Sequence, residues 1–262
     1  MIQFGMPSLI ETKTVEQSVV LCHELGLSFV ELNMNFPQFQ PWTMDAEELK
    51  RLAEQYGIFY TIHLDDNLNI ADFNPYVTDG YRRTVRETIA LAKEVGIKVL
   101  NMHLAKGAVY TLPQRKVYFF GEYEQEYLAG IKAFRDACEA LIGDSGIQIC
   151  VENTAGFLDF QRRAVEDLLE SPAFALTYDI GHNYCTNKMD EPVIMERLSR
   201  LNHMHMHDAR DGKKDHQALG TGELDIPYFI QLADGNDCTV VLETKTEEGL
   251  RQSVQWLNDN YK

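Results

Sequence analysis

NHMHMHDAR, residues 202–210, sets His203, His205 and His207 at alternate positions, with Met204 and Met206 between them and Asp208 straight after. A period of two is the period of a β-strand, whose successive side chains point to opposite faces. The three histidines therefore share one face, and the two methionines pack on the other. Imidazoles buried side by side are costly unless something binds them. The stretch reads as a strand that carries a polar site into an apolar fold.

Outward from this strand, short apolar, β-rich runs alternate with amphipathic stretches along the whole chain. The spacing predicts strands over 2–7, 29–35, 59–65, 99–105, 148–154, 174–181, 201–209 and 239–244, and helices over 15–25, 45–56, 76–95, 122–142, 160–169, 191–199, 226–233 and 247–258. Glycines close several helices, as in Glu24-Leu25-Gly26 and Glu94-Val95-Gly96, and Asp225 before Ile226-Pro227 reads as an N-cap. No linker interrupts the alternation, so residues 1–262 are expected to form one α/β domain. Eight β-then-α units predict a parallel sheet closed into a single (β/α)₈ barrel. An open doubly wound sheet is the alternative, but it needs a glycine-rich phosphate turn after the first strand, and Gly5-Met6-Pro7-Ser8 is not one.

In a (β/α)₈ barrel, functional residues gather at the carboxyl ends of the strands. Acids and histidines recur at those ends here: His63 and Asp65, His103, Glu152, Asp179 with His182, His205 with Asp208, and Glu243. Glu152, Asp179, His205 and Glu243 make a mixed oxygen and nitrogen set that suits a divalent ion such as Zn²⁺ or Mn²⁺ with positions left open. Without an ion, three facing carboxylates repel, and one is expected to take up a proton. Other residues have plainer readings. Glu31 in VELN reads as a loop hydrogen-bond partner or a catalytic group, His23 as a solvated helix residue, His203 as a hydrogen-bonded core histidine, and Arg82, Arg83 and Arg86 as a helix face. Gly220-Thr221-Gly222 reads as a tight connection, with a phosphate cradle on its N–H groups as the alternative. TLPQRKVYFFGEYEQEY, 111–127, is long and aromatic for a loop of this fold, and is read as a lid or a subunit contact.

The 262 residues carry 24 basic and 40 acidic side chains, a formal charge of -16. Such a surface repels a free polyanion on average, so nucleic acid is a disfavoured partner. Five cysteines, an odd number, are expected as reduced thiols. No long apolar run or leader-like N-terminus is present, and a cytoplasmic protein away from membranes is expected.

The ordered motifs IHLDDNLNIADFNP (62–75), NMHLAKG (101–107), VENTAG (151–156), YDIGH (178–182), HMHD (205–208), DHQALGTGELD (215–225) and VLET (241–244) together resemble the xylose-isomerase-like barrel superfamily, which includes endonuclease IV (AP endonuclease family 2) and many sugar or sugar-phosphate isomerases and epimerases. The resemblance runs from the third strand to the eighth. It implies a shared metal site on Glu152, Asp179, His205 and Glu243. Two branches follow from it. In endonuclease IV three zinc ions also use histidines matching His63, His103, His182 and His216, all present here. Against that branch, the acid before the LGxG turn stands one position late, as Lys214-Asp215-His216, and NMNFPQFQPW (33–42) lacks the basic, glutamine-rich segment that enters the minor groove.

For the isomerase branch, a metal chelating adjacent carbonyl and hydroxyl oxygens lowers the cost of an enediolate. One of Glu152 and Glu243 removes the proton and the other returns one, with metal coordination setting their pKa values apart. His63, His103, His182 and Arg210 are then hydroxyl or phosphate contacts, although the family's arginine stands one position later, where this chain has Asp211. The expectation is a metal-dependent isomerase or epimerase of a sugar or sugar phosphate, with one or more Zn or Mn ions. An abasic-site endonuclease and a dehydratase-type lyase of a polyol are the alternatives. The sequence leaves the oligomeric state open, a homo-oligomer included.

Overall fold

The computed structural model describes residues 2–261. Eight strands close into a barrel: β1 (Gln3–Pro7), β2 (Phe29–Asn33), β3 (Phe59–His63), β4 (Val99–His103), β5 (Gln148–Glu152), β6 (Phe174–Asp179), β7 (Leu201–Met206) and β8 (Thr239–Leu242). Each pairs in parallel with its sequence neighbours, and β1 pairs with β8 through Gln3↔Thr239, Phe4↔Val240 and Gly5↔Val241, which completes the ring. The (β/α)₈ expectation holds, and the open sheet is excluded.

Strand alternation divides the barrel into two environments. Residues such as Leu100, Val151, Tyr178, Met204 and Met206 point outward into the continuous core under the helices. Residues of the other parity face the lumen, where Val99, Cys150 and Ala175 make a small apolar cluster of their own. Gly5 belongs to this inner face. A Cβ there would collide with the Phe29 ring, which stacks on Phe59 at 4.9 Å. These rings fill the amino end of the lumen, so polar groups collect at the carboxyl end.

Helix starts follow their capping chemistry. Asp45 accepts N–H bonds from Glu47 and Glu48, Asn74 precedes Pro75 and accepts from Tyr76, Asp225 accepts from Tyr228, and Thr246 accepts from Gly249. The strands are shorter than the pattern predicts. β6 stops at Asp179 instead of 181 because the Asp179 side chain accepts the His182 N–H and starts a helix, Ile180–Cys185. β7 stops at Met206, and Asp208–Arg210 pairs instead with Lys214–Gln217 in a hairpin.

The 111–127 stretch is not one loop. Val109–Thr111 pairs antiparallel with Lys116–Tyr118, short helix Phe119–Glu122 follows, and helix Glu124–Ile142 begins inside the stretch. Phe120 anchors it, buried against Tyr127 at 4.5 Å and Phe73 at 5.3 Å.

The phosphate-cradle alternative for Gly220-Thr221-Gly222 fails. The Gly220 and Gly222 N–H groups donate to Asp208 Oδ2 at 3.0 and 2.8 Å, while Ala209 and Leu224 N–H donate to Oδ1 at 2.9 and 3.1 Å. A buried carboxylate already fills the cradle. Arg82 donates to the Ile70 and Gly130 carbonyls and Arg83 pairs with Glu87, so both serve their helix and its packing. All five cysteines are free, and no helix among the described residues is long and apolar enough to cross a membrane.

Candidate metal centre

β5, β6, β7 and the residue after β8 bring Glu152, Asp179, His205 and Glu243 together, with one donor atom from each within 4.8 Å of the others. Register explains the meeting. His103 pairs with Glu152 across β4 and β5, and Asp179 pairs with His205 across β6 and β7. Asn153 fixes the end of β6 by accepting the Asp179 N–H and donating to its carbonyl, both at 2.9 Å. His205 Nδ1 lies 3.2 Å from Glu243 Oε2, 3.4 Å from Glu152 Oε1 and 4.0 Å from Asp179 Oδ2. Of these residues, His205 and Asp179 are wholly buried and Glu243 is the most exposed, at 9%.

The other sequence-predicted histidines flank this cluster on two sides. His63 Nε2 and His103 Nε2 stand 3.5 and 3.0 Å from Glu152 Oε2, with Asp66 beyond them. His182 Nδ1 stands 3.3 Å from Asp179 Oδ2 and 3.5 Å from Glu152 Oε1. His216 stands against His207, ring centroids 4.2 Å apart, and its Nδ1 lies 3.1 Å from the Glu243 carbonyl. Asp215 reaches only to 3.9 Å from His182 Nε2. Arg210 does not join the cluster; it is exposed on its hairpin, without an ion pair among the described residues. Asp65 also stays outside, capping its own loop at the Asn67 N–H. His23 is exposed on its helix, as its sequence setting suggests.

Glu31 and His207 join the cluster; the sequence leaves Glu31 between a loop hydrogen-bond partner and a catalytic group, and gives His207 no role beyond sharing a face with His205. Glu31 is buried with Oε1 3.1 Å from His205 Nε2, and Oε2 accepts from Thr61 Oγ1 at 3.1 Å and meets His203 Nε2 at 3.1 Å. Its signal was an acid at an inward position between Val30 and Leu32. His207 Nδ1 accepts the His216 N–H at 2.8 Å, which leaves its proton on Nε2, 3.1 Å from Asp179 Oδ2. Gly181 makes room for it, since a Cβ there would run into the His207 ring. Lys245 Nζ pairs with Glu243 Oε1 at 3.0 Å.

Electrostatics follow from burial and pairing. Burial alone pushes the carboxyls of Glu31, Glu152 and Glu243 up, but neighbouring imidazoles, His205 first among them, hold all three well below the usual range. Burial pushes His63 and His182 down, yet Glu152 raises His63 to about 9, and Asp179 with Glu152 raises His182 to about 10. His216, desolvated and beside His207, falls to about 4. The mouth is thus a dry concentration of acceptor charge that demands positive partners. The buried His205 Nδ1, His182 Nδ1 and Glu243 Oε2 lack hydrogen-bond partners. A divalent ion with nitrogen and oxygen donors fits those orphaned atoms, and Glu152, Asp179, His205 and Glu243 are the residues that could hold it.

Comparison with known proteins agrees with this architecture. The probable endonuclease 4 of Mycobacterium ulcerans (strain Agy99) is 21% identical over 249 residues, covering 89% of this chain and 91% of that protein. A D-tagatose 3-epimerase-like protein superposes with a TM-score of 0.80 at 21% identity, covering 98% of this chain and 96% of that one. The 3-keto-D-glucoside 4-epimerase YcjR from E. coli gives 0.79 at 16% identity, over 99% and 100% of the two chains. An IolI protein solved with a bound zinc atom gives 0.75 at 11%, over 98% and 97%. At these identities the superpositions establish a shared fold. The family model for xylose isomerase-like TIM barrels matches residues 19–260, and the chain belongs to that family.

Proposed function

We propose that the chain is a metal-dependent isomerase or epimerase of a sugar or sugar phosphate. The observation that carries this reading is the convergence of two buried glutamates, Glu152 from β5 and Glu243 from the end of β8, on His205 Nδ1 at 3.4 and 3.2 Å. An ion held by Glu152, Asp179, His205 and Glu243 would supply Lewis-acid polarisation of a sugar carbonyl. Glu152 and Glu243 flank that position and act as the pair that takes a proton from the carbon beside the carbonyl and delivers one to the adjacent carbon or the opposite face. Their surroundings differ. Glu243 Oε1 is tied to the Lys245 ammonium, whereas Glu152 Oε2 accepts from Asn101 and faces His103. That asymmetry is what a two-base proton transfer needs. His63, His103 and His182 then meet substrate hydroxyl or phosphate oxygens. The structural neighbours that include a sugar epimerase and an epimerase-like protein support this reading.

The test is turnover of ketoses in D₂O. Deuterium is expected at the carbon beside the carbonyl, and Glu152→Gln abolishes both exchange and turnover; turnover without exchange overturns the proton-transfer reading. The metal set is tested separately by elemental analysis. Glu152→Gln and His205→Ala each lose bound metal, and full retention in both sinks the assignment.

One observation favours a second reading. His63 with Glu152 and His205, and His63 with Asp66 and His103, form further donor groups beside the central one, and the chain resembles a probable endonuclease 4. A hydrolase of abasic DNA using several zinc ions would use such a row. The charge of -16 favours the small molecule. Nicking of a duplex with one abasic site by metal-loaded protein, lost in Glu152→Gln, would reverse the order.

A further inference from the structure

We propose that Glu31, from β2 on the far side of the barrel, is the positioning residue that fixes the tautomer and orientation of His205. The inference rests on the reading of Glu152, Asp179, His205 and Glu243 as a metal set, and it follows from counting protons. A neutral imidazole carries one proton and one lone pair. Nδ1 of His205 faces three carboxylate oxygens, so the lone pair directed at an ion must be there, and the proton must sit on Nε2. His205 is completely buried, and its Nε2 has no aligned hydrogen-bond partner. The acceptor within reach is Glu31 Oε1, at 3.1 Å.

Glu31 is itself held in place, as an orienting group must be. Its other oxygen accepts from Thr61 Oγ1 and meets His203 Nε2, each at 3.1 Å, and His203 Nδ1 lies 2.6 Å from Thr239 Oγ1. Since Glu31 is an acceptor, His203 presents Nε2–H to it and accepts a hydrogen bond from the Thr239 hydroxyl at Nδ1. His203 is therefore the brace of the arrangement. Four strands contribute: β2, β3, β7 and β8. A carboxylate on the remote nitrogen of a metal-bound histidine raises its basicity and locks its ring, and loss of such a partner typically costs 10–100-fold in metal affinity.

The experiment is direct titration of metal-stripped full-length protein with Zn²⁺ and Mn²⁺, comparing wild type, Glu31→Gln, Glu31→Asp and His205→Ala. Glu31→Gln keeps shape and loses charge; Glu31→Asp keeps charge but is one methylene too short to reach. About 10-fold weaker binding is expected in both, without a change in far-ultraviolet circular dichroism. Long-range ¹H–¹⁵N spectra of the Zn²⁺-loaded protein are expected to show His205 protonated at Nε2 alone in wild type, with that signal shifted or broadened in Glu31→Gln. Wild-type affinity and an unchanged His205 signature in both Glu31 variants overturn the proposal. If His205→Ala binds metal as wild type does, the metal set itself is wrong, and the proposal falls with it by a different result. Should Glu31→Asp fail to fold, Glu31→Gln alone decides.

Discussion

At the scale of single residues, Asp208 and Glu31 show how much one buried carboxylate can organise. Asp208 accepts four backbone N–H groups and holds residues 218–224 in place. Replacing it with alanine leaves those donors unpaired, at about 1–3 kcal/mol for each that water cannot reach. Asp208→Ala is therefore expected to lower unfolding stability by several times the loss from Asp211→Ala, an exposed acid whose carboxylate pairs with Lys214. Urea titration checks this, and equal losses would refute it. The central four were legible in the sequence because each ends an apolar strand with a donor side chain. Glu31 and His207 were read less well, because alternation assigns a side chain to a face without naming what it meets there. His207 looked like a companion of His205, yet its two nitrogens are committed to the His216 N–H and to Asp179.

At the scale of elements, the eight strands were legible from apolar runs closed by polar residues, but every end after that of β1 was placed too late. Loops after β-strands begin with the same small and polar residues that finish them, so the pattern cannot mark where the ladder stops. The two hairpins were invisible for a related reason. Val109–Thr111 and Lys116–Tyr118 are exposed or half-buried, and strands without a core-facing side leave little periodicity. What ties the first hairpin down is Phe120, with its rings around it. Phe120→Ala is expected to cost about 3–5 kcal/mol, the usual loss for a buried aromatic. Limited proteolysis should then cut first within 109–118; cleavage elsewhere first would separate the hairpin from its anchor.

At the scale of the whole molecule, the histidine-rich mouth links ion binding, pH and stability. Burial pushes the His205 imidazole down, but Glu152, Glu31 and Glu243 outweigh it and raise it, so an ion at Nδ1 is expected to compete with a proton. Zn²⁺ uptake at pH 7 is expected to release protons and to tighten as pH rises; calorimetry in buffers of different ionisation heat measures this, and buffer-independent heats would contradict it. Without an ion, His63 and His182 stand above their unfolded value of 6.5, so the stability they add is full below about 6.5 and is lost as pH climbs through about 9 to 10. Glu152 and Glu243, held below 4.5, stabilise above that value and lose it as pH falls. His216, depressed to about 4, opposes folding progressively below 6.5. The ion-free chain is therefore expected to be most stable in mildly acid solution. Zn²⁺ at 100 times its Kd adds about 2.7 kcal/mol and, by requiring neutral imidazoles, moves the optimum alkaline. Denaturation midpoints from pH 5 to 9 with and without Zn²⁺ test the shift.

The Phe29 ring, packed on Gly5 and stacked on Phe59, plugs the amino end of this barrel. Under the proposed reading, an ion seated on His205 would leave by the mouth through which a substrate enters. Traffic through that opening would then be sequential, with the ion entering first and leaving last. A molecule resting in the mouth becomes a cork, and chelators should strip metal from the occupied protein far more slowly than from the empty one.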